Sequence, residues 1–303
     1  MTAASLPGLG QNLGRRLTVV GALPALVVVL GVAVQLAAGA PNHPPSRQHL
    51  VKTFEGLSAT EWTLVAVGIL VAVLVLQPFQ VALVRALEGH PLLRGPLKII
   101  GLPMRAVWTF RWNHLNARQQ THDPDSADNG KLLAAAAAMS RLPSRERLLP
   151  TRLGNTLRAA EDRPADRYGL DIVVAWPHLH SLLPERAAAT TDDARDQLDA
   201  ACRFTVAFAS LGVVSAFLLS GWWLVTVALA SAILTVLAYR ATIAAAGTYG
   251  ELVNAVVALH RFDLLKALHL QLPDNTESEH KLFKAVSLHL RQGWPLDVGY
   301  HHD

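Results

Sequence analysis

The sequence predicts a mainly α fold: a polytopic helical membrane protein with four transmembrane helices and a small, mostly helical cytosolic module. Three observations lead there. The chain is 51% hydrophobic with a positive mean hydropathy, high for a soluble domain. Its charges are excluded in blocks, with no Asp, Glu, Lys or Arg in 17–46, 62–84 or 204–239. A helix whose solvent is lipid needs about 20 such residues. Finally, the short flanks of these blocks are asymmetric in basic charge, which sets orientation.

Residues 1–16 form a cytosolic N-terminus ending in Arg15 and Arg16, and residues 17–40 the first span. Ala38-Gly39-Ala40 is the type of sequence a signal peptidase cleaves. The apolar stretch before it is far longer than the ~7–15 residues of a signal core, so retention is the expectation. The 41–61 loop balances Arg47 and Lys52 against Glu55 and Glu61, and is placed outside. Residues 62–84 form the second span. After it, residues 85–118 carry Arg85, Arg94, Lys98, Arg105, Arg111 and Arg118 against Glu88 alone, which keeps this segment in the cytosol.

Within that segment Pro91, Pro96 and Pro103 predict short broken pieces. Arg94, Lys98, Arg105, Trp108, Arg111 and Trp112 mix cations with indoles, a pattern suited to an anionic headgroup layer. Its place beside a span explains the mixture without nucleic acid, and the modest net charge of +4 also argues against a nucleic-acid partner.

Residues 119–203 are read as the cytosolic module. The acidic turn-rich stretch His122–Gly130 lacks the spacing of a calcium loop and is a linker; Lys131–Met139 is an alanine-rich helix. Next come Arg152-Leu153-Gly154-Asn155, then Leu157-Arg158-Ala159-Ala160-Glu161, Arg167-Tyr168-Gly169-Leu170-Asp171 and Trp176-Pro177. Asn155 or Thr156 is expected to cap a short helix in which Arg158 pairs with Glu161 or Asp162. Tyr168–Ala175 reads as a strand or extended stretch closed by Pro177. Thr190 or Thr191 is expected to cap a helix that runs directly into the third span.

This R-L-G-N…L-R-A-A-E…R-Y-G-L-D…W-P run resembles a family of uncharacterised bacterial multi-pass membrane proteins that carry a similar block between membrane segments. The resemblance covers about forty residues. It implies one family-like cytosolic module and brings no activity with it.

The third and fourth spans, 204–220 and 222–239, are expected to form a hairpin turning at Ser220-Gly221, with Trp222 and Trp223 at the far interface; the alternatives are a shallow re-entrant hairpin, or one long tilted helix that would put the C-terminus outside. Gly212, Ala216, Ser220, Ala228 and Ala232 lie at small-residue spacing, which lets two helices approach closely within one chain or between copies in a homo-oligomer. Residues 240–303 return to the cytosol. A helical pattern over Tyr249–Leu270 and a second over Glu277–Arg291, opened by Asn275 or Thr276, point Leu282, Val286 and Leu290 inward.

Sites for chemistry are sparse. His178 and His180 would point the same way on an extended segment and are the weak metal candidates, with Asp171, Glu185 or His260 as third ligands. Cys202 rules out an intrachain disulfide, and acylation there is less expected than an ordinary helical role. The chain contains no nucleophile elbow, Walker loop, dinucleotide fingerprint or H-E-x-x-H. The spans carry no ionisable side chain for a coupled transporter, only Gln35, Gln77 and Gln80 as strong polar groups. The expectation is therefore a non-enzymatic anchor or scaffold of the plasma (inner) membrane, both termini cytosolic, with no cofactor. Its partners would be the lipid bilayer and a soluble protein bound through Arg152, Asn155, Arg158, Glu161, Tyr168, Asp171 and Trp176. The alternative is an oligomeric channel or membrane-perturbing effector, and a third reading is a membrane-bound enzyme using His178 and His180.

Overall fold

The computed structural model describes residues 23–56, 58–76, 80–120 and 129–296. The predicted N-terminus, the start of the first span, Gln77, most of the acidic linker and the terminal His301-His302-Asp303 lie outside them. Among the described residues there are eleven α-helices and no strand. They separate into two compact units.

One unit draws on residues up to Val84 and on Asp196–Thr242. It holds α1 (Leu23–Ala37), α2 (Arg47–Gly56) and α3 (Ala59–Leu76), the start of α4 (Gln80–Leu87), and parts of α9 (Glu185–Leu218) and α10 (Gly221–Ala267). Ser58 and Glu61 cap α3 reciprocally. The Ser58 N–H donates to Glu61 Oε2 at 2.7 Å and the Glu61 N–H to Ser58 Oγ at 3.4 Å, satisfying two donors that a helix start leaves open. The turn from α9 to α10 falls at Gly221, whose φ of +58° suits a residue without Cβ. Polar links are few and specific: Gln35 Nε2 donates to Ser215 Oγ at 2.9 Å, and the Thr205 and Thr242 hydroxyls lie 3.1 Å apart. Leu64, Leu70, Phe217, Trp222 and Leu229 are exposed. Two helices, α9 and α10, contain stretches long and apolar enough to cross a membrane, and α1 is a shorter apolar helix.

The second unit comprises Arg85–Arg195 and the chain from Ile243 onward. It contains α5 (Lys98–Gln120), α6 (Asn129–Met139), α7 (Arg152–Tyr168), α8 (Ile172–Leu182) and α11 (Thr276–Gln292), with the first turns of α9 and the last half of α10. Three expectations are corrected here. Thr151, not Asn155 or Thr156, caps α7, its Oγ1 accepting from the Gly154 N–H at 3.1 Å. The segment from Ile172 is not extended: it forms α8, capped by Asp171, with Pro177 inside it. Ile172, Ala175 and Leu179 recur at helical spacing and are all buried, so core burial outweighs the β-branched run and the proline. The helix leading into the third apolar block starts at Glu185, which leaves Thr191 buried within it, bonded to the Ala188 carbonyl at 2.8 Å.

The core joins Leu170, Ile172, Ala175 and Leu179 to Val253, Val257, Leu264 and Leu265 of α10 and to Phe283 and Val286 of α11. Each large side chain fully buried here contributes roughly 1.5–3 kcal/mol. Leu282 and Leu290 pack against it half-buried. Asn275 and Ser278 form a capping box at the start of α11. Inside α7, Pro164 has no N–H for the Ala160 carbonyl, which instead accepts from Asn254 Nδ2 at 3.4 Å. Arg261 ties three elements together. Its Nε lies 2.6 Å from Glu279 Oε1, and its guanidinium sits 4.3 Å from the Tyr168 ring centroid.

Gly169 closes α7 in the left-handed region at φ +78°, and a Cβ there would lie 2.3 Å from the His280 carbonyl oxygen. Gly169→Ala combines a disfavoured φ with a backbone clash. It should lower stability by more than ~1 kcal/mol, read as a drop in the thermal midpoint of the detergent-solubilised protein. An unchanged midpoint would mean that α11 does not pack on Gly169 in solution.

Candidate functional site

The most polar part of the second unit is built on the first turns of α7. Thr151 Oγ1 donates to the Glu88 carbonyl at 2.7 Å while capping α7. Gly154 permits this approach, since a Cβ there would lie 2.4 Å from the Glu88 oxygen. Asn155 is fully buried. Its Oδ1 accepts from the Leu149 N–H at 2.7 Å and its Nδ2 donates to the Leu149 carbonyl at 3.0 Å, so the side chain replaces a strand partner for one residue. It holds the fold and presents nothing to a partner.

This packing brings charged groups together. Glu88 Oε2 and His90 Nε2 are 3.0 Å apart. Arg158 Nη1 lies 3.2 Å from Glu161 Oε2, with Arg147 Nη2 3.9 Å from the same oxygen. Arg147 also contacts the buried Asp162 carboxylate. Desolvation holds the Glu88 carboxyl above its ordinary value, helped by the charge of Glu161 and opposed by Arg158, Arg195 and Arg85. Desolvation holds the His90 imidazole below its ordinary value, reinforced by Arg158, Arg85 and Arg94. Close contact alone would favour the ion pair. Burial opposes charge on both partners, whereas the surrounding guanidiniums disfavour it on His90 and favour it on Glu88. Asp162 is also raised by burial, with Arg147 the chief opposing influence.

The residues expected to form one docking surface are divided along α7. Arg152 is exposed at its first turn, with Arg158 and Glu161 half-buried about one and a half to two and a half turns on. Tyr168 lies at the far end, roughly 24 Å along the axis, under Arg261. Asp171 caps α8 through the Val173 N–H at 3.0 Å and also contacts Arg291. Trp176 packs half-buried against the core, its ring 5.5 Å from that of His180. Tyr168, Asp171 and Trp176 are thus engaged in holding α8 and α11. His178 and His180 sit on a helix, where i and i+2 point about 200° apart. His180 Nε2 lies 3.2 Å from Asp192 Oδ1, and His260 Nδ1 2.9 Å from Asp263 Oδ2. No group of three metal-ligand side chains occurs among the described residues. Cys202 is buried in α9.

The basic–aromatic segment shows the feature that sequence reasoning missed. Pro91 and Pro96 do fall in separate short helical turns, Pro91–Leu93 and Gly95–Leu97, but Lys98–Gln120 is one helix with Pro103 inside it. Its indoles and one guanidinium turn inward: Trp108 Nε1 donates to the Pro150 carbonyl at 3.0 Å, Arg105 Nη2 to the Glu146 carbonyl at 2.8 Å, and Trp112 is half-buried. Arg111 stacks over Trp108 at 5.4 Å, while Arg94 and Lys98 are exposed. A helical wheel of the sequence puts Ile99, Ile100, Pro103, Val107 and Phe110 on one face and the indoles on the other, without showing which of the two turns inward. In the first unit, a Cβ on Gly212 would lie 3.1 Å from the Ser231 Cβ. Ala228 is half-buried, and Ala216, Ser220 and Ala232 are exposed.

Two measurements follow. Asn155→Ala removes both bonds to Leu149 and leaves a buried N–H and carbonyl unpaired. A loss of about 2–4 kcal/mol is expected, seen as a lowered unfolding midpoint. Glu88 has a raised native pKa, so its contribution is fully present below the ordinary value of 4.5 and is lost as pH rises through the native value. His90 acts from the other side. Its contribution is present above 6.5 and is lost as pH falls through its depressed native value. Glu88→Gln should therefore gain stability relative to the parent protein as pH is raised from 4.5 to 7.5, with Asp162 common to both. A relative loss would mean that the Glu88–His90 ion pair dominates.

Comparison with protein-family models, with curated proteins and with solved structures finds no match to this chain.

Proposed function

We propose that this chain is a multi-pass protein of the plasma (inner) membrane, with four crossings and both termini cytosolic. It acts as a non-enzymatic anchor whose helical module presents a soluble partner-binding surface. The observation that carries the reading is the dual character of α9 and α10. Each is a single unbroken helix with a stretch apolar enough to span a bilayer; α10 continues into the leucine-rich core of the second unit, and α9 begins in that unit with Thr191 and Ala194 buried. A helix satisfies its own backbone hydrogen bonds in either solvent, so it can pass from one to the other without a break.

On this reading the partner surface lies around the start of α7, where Arg152 is exposed and Arg158 and Glu161 are half-exposed. Asn155 belongs to the fold beneath it. Tyr168, Asp171 and Trp176 support α8 and α11 and contribute indirectly. Guanidiniums at such a surface suit an acidic partner through paired N–H donors.

Gentle detergent extraction of the tagged full-length protein, followed by mass spectrometry, is the direct test. A stoichiometric soluble partner is expected, with recovery reduced at least tenfold by Arg152→Glu. Arg158→Glu should act in the same sense, its unfolding midpoint being recorded because it also breaks the Glu161 pair. Full recovery with both variants would overturn the surface. A partner-free homo-oligomer that passes ions in liposomes would overturn the anchor in favour of a channel.

A further inference from the structure

We infer that α5 lies in the headgroup–acyl boundary of an anionic lipid leaflet, inserting the face made by Ile99, Ile100, Pro103, Val107 and Phe110. The inference rests on the membrane placement proposed above and names a surface that placement does not require.

At about 100° per residue, these five side chains fall within one sector roughly 100° wide. Ile99 is 81% exposed, Val107 66% and Phe110 74%. The opposite sector is committed to protein. Gly101 is buried, and a Cβ there would lie 1.9 Å from the Leu92 carbonyl oxygen. Arg105 and Trp108 donate to the carbonyls of Glu146 and Pro150, and Leu115 is buried. The helix is therefore amphipathic in the reverse sense of a soluble surface helix: its docked side is held by polar anchors and its open side is apolar.

Charge selects the occupant. Between Arg94 and Gln120 the sequence holds Arg94, Lys98, Arg105, Arg111 and Arg118 and no acid. Four of the five, all but Arg105, are exposed. A second copy of the chain would bring like charges face to face, whereas phosphates of an anionic leaflet neutralise them while acyl chains cover the apolar sector. Long basic side chains at its margins can bury their stems and keep their charges among headgroups.

The test uses full-length protein carrying Cys202→Ala, with a single cysteine introduced at Val107, at Phe110 or, as a control, at the exposed Glu277. Each is labelled with bimane and reconstituted in vesicles of phosphatidylcholine and phosphatidylglycerol, about three to one, containing brominated acyl chains. Quenching at 107 and 110 should exceed that at 277 several-fold, and should fall at least twofold when phosphatidylglycerol is omitted. Protein that resists alkaline washing yet shows no excess quenching at 107 and 110 would overturn this inference and leave the membrane placement standing. Protein that washes off would overturn both. Label-to-label energy transfer at 110 in place of lipid quenching would assign the face to a second copy. Equal quenching in both lipid mixtures would overturn the anionic preference.

Discussion

The rest of the structure depends on an α-helix satisfying its own backbone hydrogen bonds. That property lets α10 continue for 47 residues while its side-chain surroundings change completely. In its first half Trp222, Leu229 and Ile233 are exposed, and in its second half Val257, Leu264 and Leu265 are fully buried. No loop with open carbonyls is needed where the surroundings change. The core of the second unit thus includes the second half of α10, packed with α8 and α11.

Helix ends and interruptions then need local solutions, and each is met by a specific side chain. Thr151 and Asp171 cap α7 and α8, while Asn275 and Ser278 share the start of α11. Asn254 serves the carbonyl freed by Pro164. Ser287 illustrates the economy of these contacts: its hydroxyl accepts from the Asp171 N–H at 2.9 Å and donates to the Phe283 carbonyl at 2.7 Å. The outcome is a module in which these polar side chains complete backbone needs.

What the sequence revealed follows from how local each signal was. The α9–α10 turn at Ser220-Gly221 was legible because a left-handed glycine and a tryptophan pair punctuate an uncharged run. The Asn275 cap and the inward Val286 were legible from spacing alone. Tyr168–Ala175 was misread as extended because Ile172, Val173, Val174 and Pro177 carry extended preferences locally, whereas burial of Ile172, Ala175 and Leu179 at helical spacing decides for the helix. Asn155 was misread as a helix cap because a short polar side chain near a helix start suits that role, which Thr151 fills instead. Its partner, Leu149, is six residues earlier, at no helical or strand spacing. In α5 the composition was read correctly as basic and aromatic. Which residues turned inward depended on two carbonyls, at Glu146 and Pro150, that no local pattern announces.

The link between Gln35 and Ser215 has a consequence of its own. Both side chains are buried, and Ser215 also donates to the Leu211 carbonyl at 2.7 Å. Apolar helix surfaces slide past one another with little preference, since one turn of valines and leucines resembles the next. Sliding α1 by a single turn, about 5.4 Å, would part the amide from the hydroxyl and strand the Gln35 N–H in apolar surroundings, while Ser215 kept its bond to Leu211. One hydrogen bond thus selects a single register from several that shape alone would accept, as a lone buried asparagine does in a coiled coil.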